Sequence, residues 1–214
     1  MLLYYVTDRK GFDASEPERK LALLKRIGEA ARARVDYIQL REKDLGIVDL
    51  ELLAREALHV IRENWPKTQL LINTHIDIAL ASGADGVHLP AGSPPASAVR
   101  AAWFDHSRRA PVLGVSAHSV ADVRLAEADG ADFAVLAPIF EKPGTSIRGI
   151  GLEVLRKACA ESRLPVLALG GVNLANAQAC LDAGAAGIAG IRLFQQGGVA
   201  EAVERLRELV EARL

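Results

Sequence analysis

The sequence predicts an α/β protein folded as a single-domain (β/α)8 TIM barrel over residues 1–214, and three observations predict it. Its short apolar runs are uninterrupted rather than alternating, as expected of strands in a parallel sheet buried on both faces. Each run is followed by a stretch with helical apolar spacing and a charged outer face. The joints between them share one grammar, seen in Ser82-Gly83-Ala84-Asp85-Gly86-Val87, Asp129-Gly130-Ala131-Asp132-Phe133-Ala134 and Ala183-Gly184-Ala185-Ala186-Gly187-Ile188. In each, a glycine supplies the left-handed position after a helix and a short link returns the chain to a strand.

In chain order, strand 3–7 precedes helix 16–33, strand 36–40 precedes helix 48–64, and strand 69–73 precedes the shorter helix 76–82. Strand 86–89 leads to helix 95–103, 111–115 to 120–129, and 133–136 to 152–160. Strands 165–169 and 187–191 lead to helices 174–183 and 199–213. The last helix shows the pattern plainly, with Val199, Val203, Leu206 and Val210 on one side and Glu201, Arg205 and Glu208 on the other. Eight units in 214 residues leave about 27 each, close to the minimum for a right-handed βαβ crossover. A doubly wound open sheet is the alternative, but nothing in the chain resembles its Gly-x-Gly-x-x-Gly turn.

Composition narrows the function classes. Half the residues are hydrophobic and 5% aromatic, which suits packed aliphatic layers. With 26 basic and 27 acidic residues the net charge is −1, without the basic excess of a sequence-independent nucleic-acid binder. No apolar run reaches the eighteen or so residues of a membrane span. The start, Met1-Leu2-Leu3-Tyr4-Tyr5-Val6, lacks a basic region and runs directly into a strand, so no signal peptide is expected. Cys159 and Cys180 form neither a disulfide framework nor a close metal-ligand pair, and both fall on helices as reduced structural thiols. The expected setting is cytoplasmic, with no nucleic-acid or membrane partner, and a homodimer stays open.

In a barrel of this kind the chemistry lies just after the C-terminal ends of the strands. After the second strand, alternation turns Gln39, Arg41 and, loosely, Lys43 toward the mouth, where two cations suit an anionic substrate. Ion pairing with Glu42 and Asp44 is the competing account. After the third strand, Asn73 suits a ligand oxygen or a helix cap, and His75 has a titration range suited to acid–base work. His88 sits inside an apolar strand as a hydrogen-bonded core histidine. Ser116 and His118 can both face the mouth after the fifth strand, while Ser119 caps the next helix. No Ser–His–Asp triad pattern is present, so His118 is read as a proton carrier. The loop 137–151 is long and rich in glycine and proline, as a lid is. Gly170-Gly171 after the seventh strand and Arg192 after the eighth fall where many barrels bind phosphate, although Arg192 equally suits a structural tie between the two loops.

These motifs, in this order, resemble the thiamine phosphate synthase / TenI-like superfamily over nearly the whole chain. The resemblance rests on Tyr5-Val6-Thr7-Asp8, Gln39-Leu40-Arg41-Glu42-Lys43, Leu71-Ile72-Asn73 and Ile76-Asp77-Ile78-Ala79-Leu80. It continues through Ala84-Asp85-Gly86-Val87-His88-Leu89, Gly114-Val115-Ser116-Ala117-His118-Ser119, Pro138-Ile139-Phe140 and Leu169-Gly170-Gly171-Val172. The resemblance implies one of two activities. The synthase joins a pyrimidine methyl diphosphate to a thiazole phosphate, releasing pyrophosphate with magnesium. The TenI-like tautomerase moves a proton on a thiazole phosphate carboxylate without metal. It also implies diphosphate contacts at Gln39, Arg41, Lys43 and Asn73, a substrate contact at Ser116 and a thiazole-phosphate loop at Gly170 and Gly171.

Departures from the synthase pattern shape the expected reaction. Thr74 and Ser93 stand where the synthase has its two magnesium-binding carboxylates, and magnesium favours carboxylate and phosphate oxygens. The loop after the sixth strand reads Glu141-Lys142-Pro143-Gly144-Thr145, so only Lys142 restores a cation there, from a shifted position. The Leu89-Pro90-Ala91-Gly92-Ser93 and Phe140-Glu141 segments look closer to the TenI-like branch. Pro138 stands where that branch has a histidine, which leaves His118, then His75, then Glu141 as candidate bases, with Lys43 suited to the substrate carboxylate. The expectation is therefore a metal-free thiazole tautomerase acting on a thiazole phosphate. The magnesium-dependent synthase and a catalytically silent ligand-binding or regulatory barrel are the alternatives.

Overall fold

A computed structural model describes residues 1–141 and 148–211. Within them, parallel strands close in chain order into a barrel: β1 (Leu2–Val6), β2 (Tyr37–Leu40), β3 (Gln69–Asn73), β4 (Gly86–Leu89), β5 (Val112–Ala117), β6 (Phe133–Leu136), β7 (Val166–Ala168) and β8 (Gly187–Gly190). Closure is made by β1 against β8, with Tyr4 opposite Ala189. Around the sheet lie α1 (Glu16–Arg32), α2 (Ile47–Asn64), α3 (Ile76–Ser82), α4 (Ala96–Phe104), α5 (Val120–Ala128), α6 (Gly151–Glu161), α7 (Ala177–Asp182), α8 (Arg192–Gln195) and α9 (Val199–Glu211). Among the described residues no helix is long and apolar enough to cross a membrane.

The apolar runs split into two cores by strand parity. Leu3, Ile38, Leu40, Leu70, Ile72, Val87, Leu113 and Leu136 point outward and are covered by the helices. Their neighbours Tyr4, Val6, Leu71, Phe133, Val135, Leu167 and Ala189 fill the barrel interior. Burial on both faces is why the strands read as unbroken apolar runs. The three repeated joints carry left-handed glycines as expected, with φ of +76°, +79° and +98° at Gly83, Gly130 and Gly184. The apolar stripe of α9 is also as expected, with Val199, Val203 and Leu206 buried.

Four differences from the expected elements bear on the mouth. β5 runs on to Ala117, so Ser116 belongs to the sheet rather than to the loop after it. α7 starts later than expected because two side chains capture the amides ahead of it. Asn173 Oδ1 accepts from Ala175 N and Asn176 Oδ1 accepts from Asn173 N, each at 2.8 Å. A 3-10 turn at Arg9–Gly11 and the four-residue α8 are too short for periodicity to register. Residues 142–147 of the expected lid, Lys142 among them, lie outside the described residues.

Candidate functional site

The barrel mouth has two unlike halves. In the first, Gln39 points inward from β2 and its Nε2 donates to Asn73 Oδ1 on β3 at 2.8 Å. Asn73 Nδ2 donates in turn to Thr74 Oγ1 at 2.9 Å, so Asn73 does not cap α3. The residue before α3 is His75, which makes no side-chain cap. Thr74 is held at φ +70°, a left-handed conformation that a β-branched residue seldom adopts and that clusters at functional sites.

His88 on β4 is opposite Asn73 and is buried, as a core histidine should be. Its Nδ1 lies 3.1 Å from the Tyr4 hydroxyl and its Nε2 lies 2.8 Å from Ser116 Oγ. Burial, and then the nearby charge of Arg41, push its pKa down to about 3, so the ring is neutral at physiological pH.

The acidic neighbours of Arg41 and Lys43 are both committed elsewhere, to an arginine that the sequence did not single out. Arg9 Nη1 donates to Glu42 Oε2 at 3.2 Å and to Asp44 Oδ1 at 2.7 Å, and Arg9 Nε donates to Glu16 at 2.7 Å. Thr7 ties this knot to the strand: its hydroxyl donates to Glu42 Oε1 at 2.6 Å and accepts from the Arg41 amide at 3.0 Å. The Arg9 and Glu42 side chains are only 5% and 2% exposed. Burial raises the Glu42 carboxyl, whereas its hydrogen bond from Arg9 holds Asp44 well below the usual carboxylate range. Among the described residues neither Arg41 nor Lys43 enters an ion pair, which removes the ion-pair account of these two cations.

The second half is a cavity of about 1290 Å³ lined by Gly170, Gly171, Pro138, Phe140, Glu141 and Arg192, among others. Gly170 and Gly171 have φ of +93° and +67°. A Cβ on Gly170 would lie 2.7 Å from Pro138 Cα, and one on Gly171 would lie 2.7 Å from Phe140 Cβ. The pair therefore has a packing reason to be glycine beyond ligand approach: it seats the chain after β6. The Phe140 amide donates to Gly170 O at 3.0 Å and closes that contact.

α8 is clamped at the same side by Gln195. Its Oε1 accepts from the Tyr5 hydroxyl at 3.0 Å and from Asp8 N at 3.2 Å, and its Nε2 donates to Asp8 O at 2.5 Å. Gln195 thus ties α8 to β1 and Asp8 rather than to the loop after β7. Arg192 is exposed at the cavity and makes no ion pair among the described residues. Asp8, Glu141 and Glu201 share the lining, so an anion here would rely on backbone N–H groups together with Arg192.

The three candidate bases are not gathered together. Glu141 lines the cavity, while His118 and His75 do not. His118 is exposed, and its Nδ1–H donates to Ala137 O at 2.8 Å, which leaves the Nε2 lone pair free to accept a proton. Ser119 caps α5 as expected, its hydroxyl accepting from Asp122 N at 3.2 Å. His75 lies 3.9 Å from the Asp77 carboxylate at the start of α3. Cys159 and Cys180 are free, and burial pushes each thiol up to about 11, which suits inert structural groups. The donor set does not fit magnesium: Thr74 and Ser93 bring no carboxylate, and no cluster of three His, Cys, Asp or Glu side chains suited to a metal exists among the described residues.

Residues 3–194 match the family described as thiamine monophosphate synthase. The chain is 40% identical over 193 residues to the putative thiamine-phosphate synthase 2 of Aquifex aeolicus, covering 90% of this chain and 96% of that one. It is 35% identical over 215 residues to the thiamine-phosphate synthase of Coprothermobacter proteolyticus, covering 97% and 94%. Its fold superposes with a TM-score of 0.81 on a thiamine phosphate pyrophosphorylase from Pyrococcus furiosus, at 29% identity, covering 100% of this chain and 96% of that one. These names favour the transferase over the tautomerase expected from Thr74, Ser93 and the loop after β6.

Proposed function

The chain belongs to the thiamine monophosphate synthase family, and on that premise we propose that it is a transferase joining a thiazole phosphate to a pyrimidine methyl diphosphate with release of pyrophosphate. One observation carries this reading: Arg41 and Lys43 follow β2 with their acidic neighbours held by Arg9, and a separate glycine-lined cavity opens beyond β6, β7 and β8. A reaction between two anionic substrates needs two such places. Arg41 and Lys43 stabilise charge on the departing pyrophosphate, commonly the largest catalytic contribution. Gln39 and Asn73 hold each other at 2.8 Å and orient the diphosphate. The amides of Gly170 and Gly171, with Arg192, take the thiazole phosphate. No step is assigned to magnesium, because the donor set does not suit it.

The proposed test is pyrophosphate release from the two substrates, with and without magnesium. Turnover that falls at least tenfold in Arg41→Ala supports the transferase. No pyrophosphate under either condition overturns it. In that case proton exchange on the thiazole phosphate carboxylate would establish a second reading, tautomerisation. One feature favours that reading: the His118 lone pair at the rim beside Ala137. Binding of the thiazole phosphate without either reaction would mark a silent barrel.

A further inference from the structure

The barrel interior holds a chain of three polar side chains that the proposed reaction does not use directly. Tyr4 is fully buried, and its ring is edge-on to Phe133 at 5.3 Å and to Tyr37 at 6.0 Å. Its hydroxyl reaches His88 Nδ1, whose ring reaches Ser116 Oγ through Nε2. Room for the imidazole comes from Gly114: a Cβ there would lie 2.5 Å from the Phe133 ring and 3.0 Å from His88 Nδ1. Among the described residues the Tyr4 hydroxyl has no other hydrogen-bond partner.

Proton counting then fixes the direction of both hydrogen bonds at His88. A buried phenol has one hydrogen to place, and His88 Nδ1 is the acceptor within reach. If Nδ1 carried a proton instead, the Tyr4 hydrogen would have no partner in an apolar interior. A neutral imidazole that accepts at Nδ1 carries its hydrogen on Nε2, so it donates to Ser116 Oγ. Ser116 cannot donate back along that line, so its own hydrogen is left for another acceptor.

We propose that Tyr4 and His88 are positioning residues that keep the Ser116 hydroxyl hydrogen off His88 and free to donate, so that the barrel favours substrates presenting an acceptor, such as a ring nitrogen or a carboxylate or phosphate oxygen, at that point. Burial keeps both groups in the required protonation state, holding the Tyr4 phenol protonated and the His88 ring neutral. The tautomer is a property of the protein alone. Its effect on a ligand rests on the reading of the mouth as the substrate site.

The test has two arms. Ring nitrogen NMR of the full chain labelled at histidine reads the tautomer directly. His88 is the buried ring, held neutral by burial, so its signals stay fixed between about pH 5 and 8. The expected result is a single Nε2–H tautomer, which becomes a mixture in Tyr4→Phe. An Nδ1–H tautomer in the unaltered protein, or titration of all the rings, overturns the proposal.

The second arm measures binding of the pyrimidine methyl diphosphate to unaltered protein, Tyr4→Phe, Ser116→Ala and the double variant. Tyr4→Phe should weaken binding by about 3- to 10-fold, and it should add nothing once Ser116 is alanine. Equal losses in both backgrounds would mean that Tyr4 acts only through packing. If the unaltered protein does not bind this probe, the functional reading fails, while the tautomer measurement still decides the arrangement at His88.

Discussion

The two halves of the mouth are built by different means. On the β2–β5 side, side chains form the surface: Asn73 is aimed by Gln39 and Ser116 by His88, while Arg41 is held at its backbone amide by Thr7, which also bonds Glu42 of the Arg9 knot. On the β7–β8 side the glycine backbone is part of the surface, beside side chains such as Arg192, Phe140 and Glu141. Gly170 and Gly171 present amides because the loop after β6 leaves no space for a Cβ, and α8 is held in place by Gln195. A substitution on the first side can remove one interaction and spare the fold. On the second side ligand contact and loop packing are the same atoms, so binding and stability should fall together.

The largest effect should come from the knot that underlies the polar half. Arg9→Met leaves the Glu42 carboxylate buried without its cation, a change that costs about 3–5 kcal/mol. Chemical denaturation should show that loss at neutral pH. The deficit should shrink toward acid pH, because burial already raises the Glu42 carboxyl and without Arg9 it protonates more readily. Glu42→Gln should cost less, since Arg9 keeps Asp44 and Glu16. A larger loss in Glu42→Gln than in Arg9→Met would mean that the knot is not organised around the arginine.

The contrast between the halves also explains what the sequence could reveal. The barrel was legible because parallel strands buried on both faces read as unbroken apolar runs, and because the glycine joints repeat. Gln39 and Arg41 were legible through strand parity, and the glycine pair through its position. Arg9 was not, because it sits beside Lys10 in a loop with nothing local to distinguish them. The link from His88 to Ser116 depends on β4–β5 register, in which His88 pairs with Gly114 and Ser116 lies two residues further on. Gln195 had no local signal, being one glutamine in a helix of four residues.

Gly171→Ala gives the next effect and tests the backbone half. The added Cβ would meet Phe140 at 2.7 Å and Glu141 O at 2.9 Å, on a backbone at φ +67°. Strain of this kind costs about 1–3 kcal/mol. Binding of the thiazole phosphate should weaken in the same variant. Asn73→Ala, on the polar half, should weaken diphosphate binding with little change in the denaturation midpoint. If Gly171→Ala lowered affinity and left the midpoint unchanged, packing and binding would be separable on the glycine side and the distinction between the halves would fail.

The smallest effect concerns Asp44 and Glu42, two of the three carboxyls that share Arg9, because these two titrate in opposite senses. The hydrogen bond from Arg9 holds Asp44 low, so its contribution is fully present above the ordinary aspartate value near 4 and is lost as pH falls through the depressed value. Glu42 is raised by burial, so the folded state takes up its proton first and gains relative stability as pH falls through that raised value. The unaltered protein sums the two and should lose stability to acid more gently than Asp44 alone would dictate. Asp44→Asn removes the depressed member. At neutral pH it should lower stability by at most about 1 kcal/mol, since the Asp44 side chain is 37% exposed and screened by solvent. The gap from the unaltered protein should then narrow as pH falls below about 4, where the unfolded chain binds the Asp44 proton and the folded state does not. Denaturation midpoints between neutral pH and about pH 3 measure it. A gap that widened toward acid would mean that Arg9 leans on Glu42 and Glu16, and that Asp44 contributes nothing to holding the loop that carries Arg41 and Lys43.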